Sequence, residues 1–86
     1  MQIESYYYLC RAYYDLSSYD ESVMAGLQFI KLCDNKIRNA DTSSNVGDSY
    51  YRMKRYDLAR EFYLNSLKLV MNGNQRALMN LVGVGR

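Results

Sequence analysis

The 86-residue sequence has no histidine and no proline, only five glycines and only two cysteines. Without histidine it lacks the commonest general base and the commonest metal ligand. Cys10 and Cys33 stand far apart in sequence, with no partner at metal-ligand spacing and no dense disulfide framework. They read as buried structural thiols in a reducing, cytoplasmic setting. No glycine-rich loop cradles a phosphate, because Gly83-Val84-Gly85 is only a tail. Asp15 and Asp20 are too ordinary to count as a catalytic carboxylate pair. The chain is therefore expected to have no catalytic residue, no metal and no cofactor. Its net charge of +2 comes from scattered lysines and arginines, which argues against direct nucleic-acid binding. No apolar run approaches the ~20 residues of a membrane span, and the N-terminus lacks the regions of a signal peptide.

What is abundant is apolar and aromatic. Nearly half of the residues are apolar, ten are tyrosine, and the absence of proline permits long helices everywhere. The sequence also matches itself at a shift of 37 residues. Tyr13 falls on Tyr50, Tyr14 on Tyr51, Tyr19 on Tyr56, Asp20 on Asp57, Lys31 on Lys68 and Leu32 on Leu69. One unit spans about residues 4–40 and the next about 41–77. A partial third begins near Arg76 and runs to Arg86, all within a single domain.

Each unit reads as two helices. Tyr6, Leu9, Cys10 and Tyr13 recur at the spacing of one helical face. Ser17-Ser18 interrupts that face, and Ser18 with Glu21 forms a capping-box pattern that starts a second helix. Its inner side carries Tyr19, Ser22, Gly26, Phe29, Ile30 and Cys33. In the second unit Val46, Gly47 and Tyr50 mark the first helix. Tyr56, Ala59, Tyr63, Ser66, Leu67 and Val70 mark the second. The turn at Lys54-Arg55 is so short that the pair must be antiparallel. Asp41-Thr42-Ser43 is expected to start a helix, and Asn72-Gly73-Asn74 to end one. Gly26 and Phe29 become Tyr63 and Ser66 in the second unit, an exchange of volume expected at core positions.

This pattern resembles the tetratricopeptide repeat. Val46-Gly47, Tyr50, Ala59, Tyr63 and Ser66 stand at its motif spacing, and Tyr6, Leu9, Cys10, Tyr13, Ser22, Gly26 and Phe29 repeat it less closely. The resemblance implies an all-α chain of antiparallel helix pairs stacked as a right-handed superhelix, with about two repeats and the start of a third. The spacing is longer than the family's usual 34 residues. That length, and the segments Cys33–Arg38 and Asn72–Arg76, resemble bacterial peptide-sensing regulators of the Rap and PlcR type and their phage relatives. Kinesin light chains also use long spacings.

In such stacks the first helices line the concave surface. The residues expected there are Tyr7, Arg11 and Tyr14 from unit one, with Asp41, Asn45, Asp48, Tyr51 and Arg52 from unit two. Arg76 and Asn80 are the equivalents in the partial third unit. Asparagine can both donate to and accept from a peptide backbone, tyrosine gives broad contact, Arg11 suits a carboxylate, and the two aspartates suit a basic side chain. The expected function is a protein- or peptide-binding module of a larger regulatory protein, such as a quorum-sensing peptide receptor. The alternative is a structural scaffold or oligomerisation segment that assembles through apolar repeat ends. Val70, Leu78, Leu81, Val82 and Val84 lack an obvious cover.

Overall fold

A computed structural model of the protein describes the backbone from Gln2 to Val84 and the side chains from Gln2 to Met71. The described residues form four α-helices and no strand: α1 (Ile3–Asp15), α2 (Tyr19–Leu32), α3 (Lys36–Arg52) and α4 (Tyr56–Val84). Each helix packs on its chain neighbour, and α1 also touches α3. No described helix is long and apolar enough to cross a membrane.

The repeat is visible bond for bond in the two turns. α1 ends at Leu16 and α3 at Met53, 37 residues apart, with nearly equal dihedrals. Ser17 N–H donates to Tyr14 C=O at 2.9 Å, and Lys54 N–H to Tyr51 C=O at 3.0 Å. Ser18 N–H reaches back to Tyr13 C=O at 2.8 Å, as Arg55 N–H does to Tyr50 C=O at 2.8 Å. This pair of bonds is the Schellman arrangement, which needs a left-handed residue just past the helix. Ser17 (φ 62°) and Lys54 (φ 64°) supply it without being glycine. The same offset relates the edge-on ring pairs Tyr14–Tyr19 and Tyr51–Tyr56, at 5.7 and 5.4 Å between centroids.

The core is made of small side chains. Cys10, Ala25, Ala40, Val46 and Ala59 are buried, with Ser22, Thr42, Ser43 and Ser49 among them. Phe29 is the largest fully buried residue. Small residues let the helices approach closely. A β-carbon added at Gly26 would overlap Cγ2 of Val46 and stand 3.0 Å from Sγ of Cys10. Two of the buried hydroxyls are linked: Ser49 Oγ donates to Ser22 Oγ at 3.0 Å, and Ser22 Oγ to Cys10 C=O at 2.7 Å. These two bonds tie α3 through α2 to α1. Of the exchanged positions, Gly26 faces Val46 of the second unit and Cys10 of its own, Phe29 is fully buried, and Tyr63 lies against Gly47 of its own unit.

Several expectations need correction. α3 begins at Lys36, not at Asp41, because Asn35 caps it by accepting from Arg38 N–H at 3.0 Å. Nothing between Asn35 and Asp41 breaks a helix, so Thr42 and Ser43 are buried inside it. Ser18 does precede α2, but its side chain makes no capping bond. α4 runs through Asn72-Gly73-Asn74 to Val84 as one helix, so the expected stop is not there. No described glycine has the positive φ that such a stop uses. Tyr6, Tyr13, Tyr19, Tyr50 and Tyr63, which the spacing sets on the inner faces of their helices, are only half-buried, and Tyr56, Leu67 and Val70 on the α4 stripe are exposed. Phe29 is the one ring fully buried among the described residues, and the close helix approach moves these tyrosines to the rim. The side chains of Leu78, Leu81, Val82 and Val84 lie outside the described residues.

Candidate functional site

The α1–α3 face brings the expected residues together in two clusters. At one end, Tyr7 of α1 donates its hydroxyl to the Asp41 carboxylate of α3. Its ring packs on Phe29, with centroids 5.3 Å apart. The Arg38 guanidinium lies over the Tyr7 ring, 5.6 Å from its centroid. Arg38 also meets Glu4 at 3.5 Å in an exposed ion pair. The bond to Asp41 raises the Tyr7 pKa above its ordinary value, with burial and the aspartate's charge adding to it, while nearby Arg11 opposes the shift.

At the other end, Arg52 Nε donates to the Tyr14 hydroxyl at 3.3 Å. Tyr63 of α4 donates to the Asp48 carboxylate. Burial, then this bond and the negative charge of Asp48, push the Tyr63 pKa strongly upward. Tyr51 is exposed beside this cluster.

Between the clusters stands Asn45. It lies four residues after Asp41 and three before Asp48, so all three share one stripe of α3. Its Nδ2 is buried and has no hydrogen-bond partner among the described residues. An unpaired buried amide donor costs about 1–3 kcal/mol.

Of the ten residues expected on this face, eight lie on α1 and α3 as anticipated: Tyr7, Arg11, Tyr14, Asp41, Asn45, Asp48, Tyr51 and Arg52. The side chains of Arg76 and Asn80 lie outside the described residues. The expected chemistry needs one revision. Asp41 and Asp48 are not idle carboxylates awaiting a basic ligand, because each already accepts a tyrosine hydroxyl. Arg11 is exposed next to Tyr7. Sequence reasoning missed Arg38, and it assigned Tyr63 to the core. Tyr63 stands opposite Gly47 in the repeat motif. That bare position is the one signal that its ring would lie across α3.

Among the hollows off this face, two are described by their lining. One, of about 500 Å³, sits at the start of α4 along Lys54–Leu58. The other, of about 390 Å³, lies on the outer side of α1 and α2 and is lined by Tyr6, Leu9, Tyr13, Glu21, Met24, Ala25 and Gln28. Among the described residues no three metal-binding side chains cluster. No protein-family model, curated protein or solved structure matches the chain.

Proposed function

We propose that the chain is a helical-repeat binding module, with the α1–α3 face as its recognition surface and a peptide or protein segment as its ligand. The reading draws on the tetratricopeptide resemblance, in which paired helices stack into a right-handed superhelix and first helices carry the ligand. It assigns the chain no catalytic role. It sets the chain in the cytoplasm as part of a larger regulatory protein of the peptide-sensing kind, with Cys10 and Cys33 as free thiols. The observation that carries it is Asn45. On a face where Tyr7 pairs with Asp41, Tyr14 with Arg52 and Tyr63 with Asp48, its amide nitrogen is buried without a partner among the described residues. A backbone carbonyl of an extended peptide supplies the missing acceptor.

The test is selection of linear peptides from a random display library on the immobilised chain. The reading expects an enriched consensus whose affinity falls roughly tenfold in Asn45→Ala, the ~1.4 kcal/mol scale of one well-made hydrogen bond. Helicity by circular dichroism should be unchanged. No consensus, or equal binding by both proteins, removes the reading.

A second reading, assembly through apolar ends, is favoured by the open hollow over Tyr6, Leu9 and Tyr13. Exposed Leu67 (56%) and Val70 (39%) on α4 favour it too.

A further inference from the structure

We infer that a second copy of this chain docks head to tail, its α1–α2 face on α3 and α4, in register with the internal repeat. The inference rests on the second reading above and is independent of the first.

The repeat identifies what covers the open face. Leu9, Tyr13 and Ala25 border the hollow on α1 and α2. Their counterparts 37 residues on are Val46, Tyr50 and Phe62. Those three join one apolar cluster with Cys10, Val23 and Ala25; Leu9 and Tyr13 also pack on this cluster but keep one side on the hollow, whereas Val46 is completely buried. Unit two thus buries against α2 the surface that unit one leaves open. The helix related to α2 by the repeat is α4.

The contacts between units can be carried forward by 37 residues to ask whether a second copy would fit. Ser49 and Ser22, hydrogen-bonded between α3 and α2, become Ala12 of the second copy and Ala59: the polar pair becomes an apolar one, in which Ala59 is already covered by its own unit and needs no hydrogen-bonding partner. Tyr7 and Asp41 become Ser44 and Glu4 of the second copy, again a hydroxyl facing a carboxylate. Tyr14 and Arg52 become Tyr51 and Asp15 of the second copy, where the tyrosine hydroxyl now donates. At the serine and Tyr7–Asp41 positions both partners change, at Tyr14–Arg52 the tyrosine is kept and only its partner changes, and each pair stays matched. The Glu4–Arg38 pair maps onto Met1, which lies outside the described residues. Val46 over Gly26 becomes Leu9 of the second copy over Tyr63. The ring of Tyr63 is drawn back onto Gly47 of its own unit, and the longer leucine spans the wider gap left by the extra side chain.

Charge agrees. The α1–α2 turn is acidic through Asp15, Asp20 and Glu21, and the α3–α4 turn is net basic, Arg52, Lys54 and Arg55 outweighing Asp57. Within the chain Asp20 and Arg55 already border one hollow. A second copy sets its acidic turn on the far side of the basic one, so the signs alternate along the stack. Such a contact joins unlike faces and does not close on itself, so it builds rings or open filaments instead of a symmetric dimer.

The test uses two substitutions at exposed helical sites, where the monomer is not disturbed. Ala12→Arg blocks the head and Leu67→Glu blocks the tail. Sedimentation of the wild-type chain should give a mass that rises with concentration above the 10.1 kDa monomer. Each variant alone should remain monomeric with native helicity. An equimolar mixture should give a 1:1 dimer that grows no further, because each variant keeps one good face. A wild-type monomer at every concentration up to about millimolar overturns the inference. So does association of either variant alone, or a mixture that stays monomeric. Peptide binding is scored separately, through Asn45→Ala, because Asn45 is not among the docking contacts.

Discussion

Gly47 is the floor on which the ring of Tyr63 lies: a β-carbon there would come within 2.8 Å of Cε1 and 3.2 Å of the Ala59 carbonyl oxygen. Gly26 plays the same part against Val46, which is fully buried and β-branched and so cannot swing aside. Replacing a helical glycine by alanine normally gains about 1 kcal/mol. Overpacking costs about 1–3 kcal/mol. At Gly26 the overlap prevails, and Gly26→Ala should destabilise by roughly 1–2 kcal/mol. Gly47→Ala should cost less, because the half-buried ring of Tyr63 has solvent on one side. Thermal unfolding checks the order, since 1 kcal/mol moves Tm by about 4–8 °C in a domain of this size. A more stable Gly26→Ala protein would mean that α2 and α3 are not in close contact.

The two turns offer the opposite substitution. Ser17 and Lys54 hold left-handed backbone at φ 62° and 64°, which costs a residue with a β-carbon roughly 1–2 kcal/mol. Both are exposed and neither side chain is needed for the Schellman bonds, which use backbone atoms only. Ser17→Gly and Lys54→Gly should each stabilise by about 0.5–1 kcal/mol. The turns belong to different units, so the two gains should add. Urea midpoints of the single and double variants test this, and a loss at either site counts against the turn geometry.

How far the sequence revealed this arrangement depends on the distance over which each feature is determined. The α1–α2 and α3–α4 turns are set by a few adjacent residues, so the self-match at 37 places them correctly. The start of α3 depends on one side chain, Asn35, whose counterpart in the repeat is Asn72. Reading the pair as one linker hid the cap. The small residues Cys10, Gly47 and Ala59 marked the true centre. The tyrosine stripes marked only its rim, because periodicity gives direction around a helix and not depth. The candidate face was legible as a stripe. Its internal pairings were not, because Tyr7–Asp41 and Tyr14–Arg52 join residues 34 and 38 positions apart. No local pattern encodes such pairs.

The serine pair makes a prediction about coupling. Ser22 accepts from Ser49 and donates to the Cys10 carbonyl, and all three residues are buried. Ser22→Ala leaves the Ser49 hydroxyl buried without this partner, at a cost of about 1–3 kcal/mol. Removing both hydroxyls takes away donor and acceptor together. The double variant Ser22→Ala/Ser49→Ala should therefore be less destabilised than the sum of the singles, by about 0.5–1 kcal/mol or more. Unit two already carries alanine at the Ser22 position, as Ala59, and buries it. Strict additivity in a double-mutant cycle would show that the two hydroxyls do not depend on each other.

Alkaline pH tests the tyrosine–aspartate pairs. Tyr63 and Tyr7 both titrate above the ordinary tyrosine value of 10.0, Tyr63 by far the more: burial raises it first, and donation to Asp48 adds to that. A raised folded pKa means that above about pH 10 the native protein holds protons that the unfolded chain has released. Stability rises with pH only where the unfolded state binds more protons, so here it must fall. The contribution is fully present below about pH 10 and is lost progressively as pH climbs from there toward the folded pKa. Unfolding midpoints between about pH 9 and 12 should therefore drop. In Tyr63→Phe the drop should be shallower, because the main titrating group is gone and Tyr7 retains only its smaller share. Wild-type chain and Tyr63→Phe with the same slope would mean that the Tyr63 hydroxyl is free to ionise in the folded protein, and the bond to Asp48 would have to be abandoned.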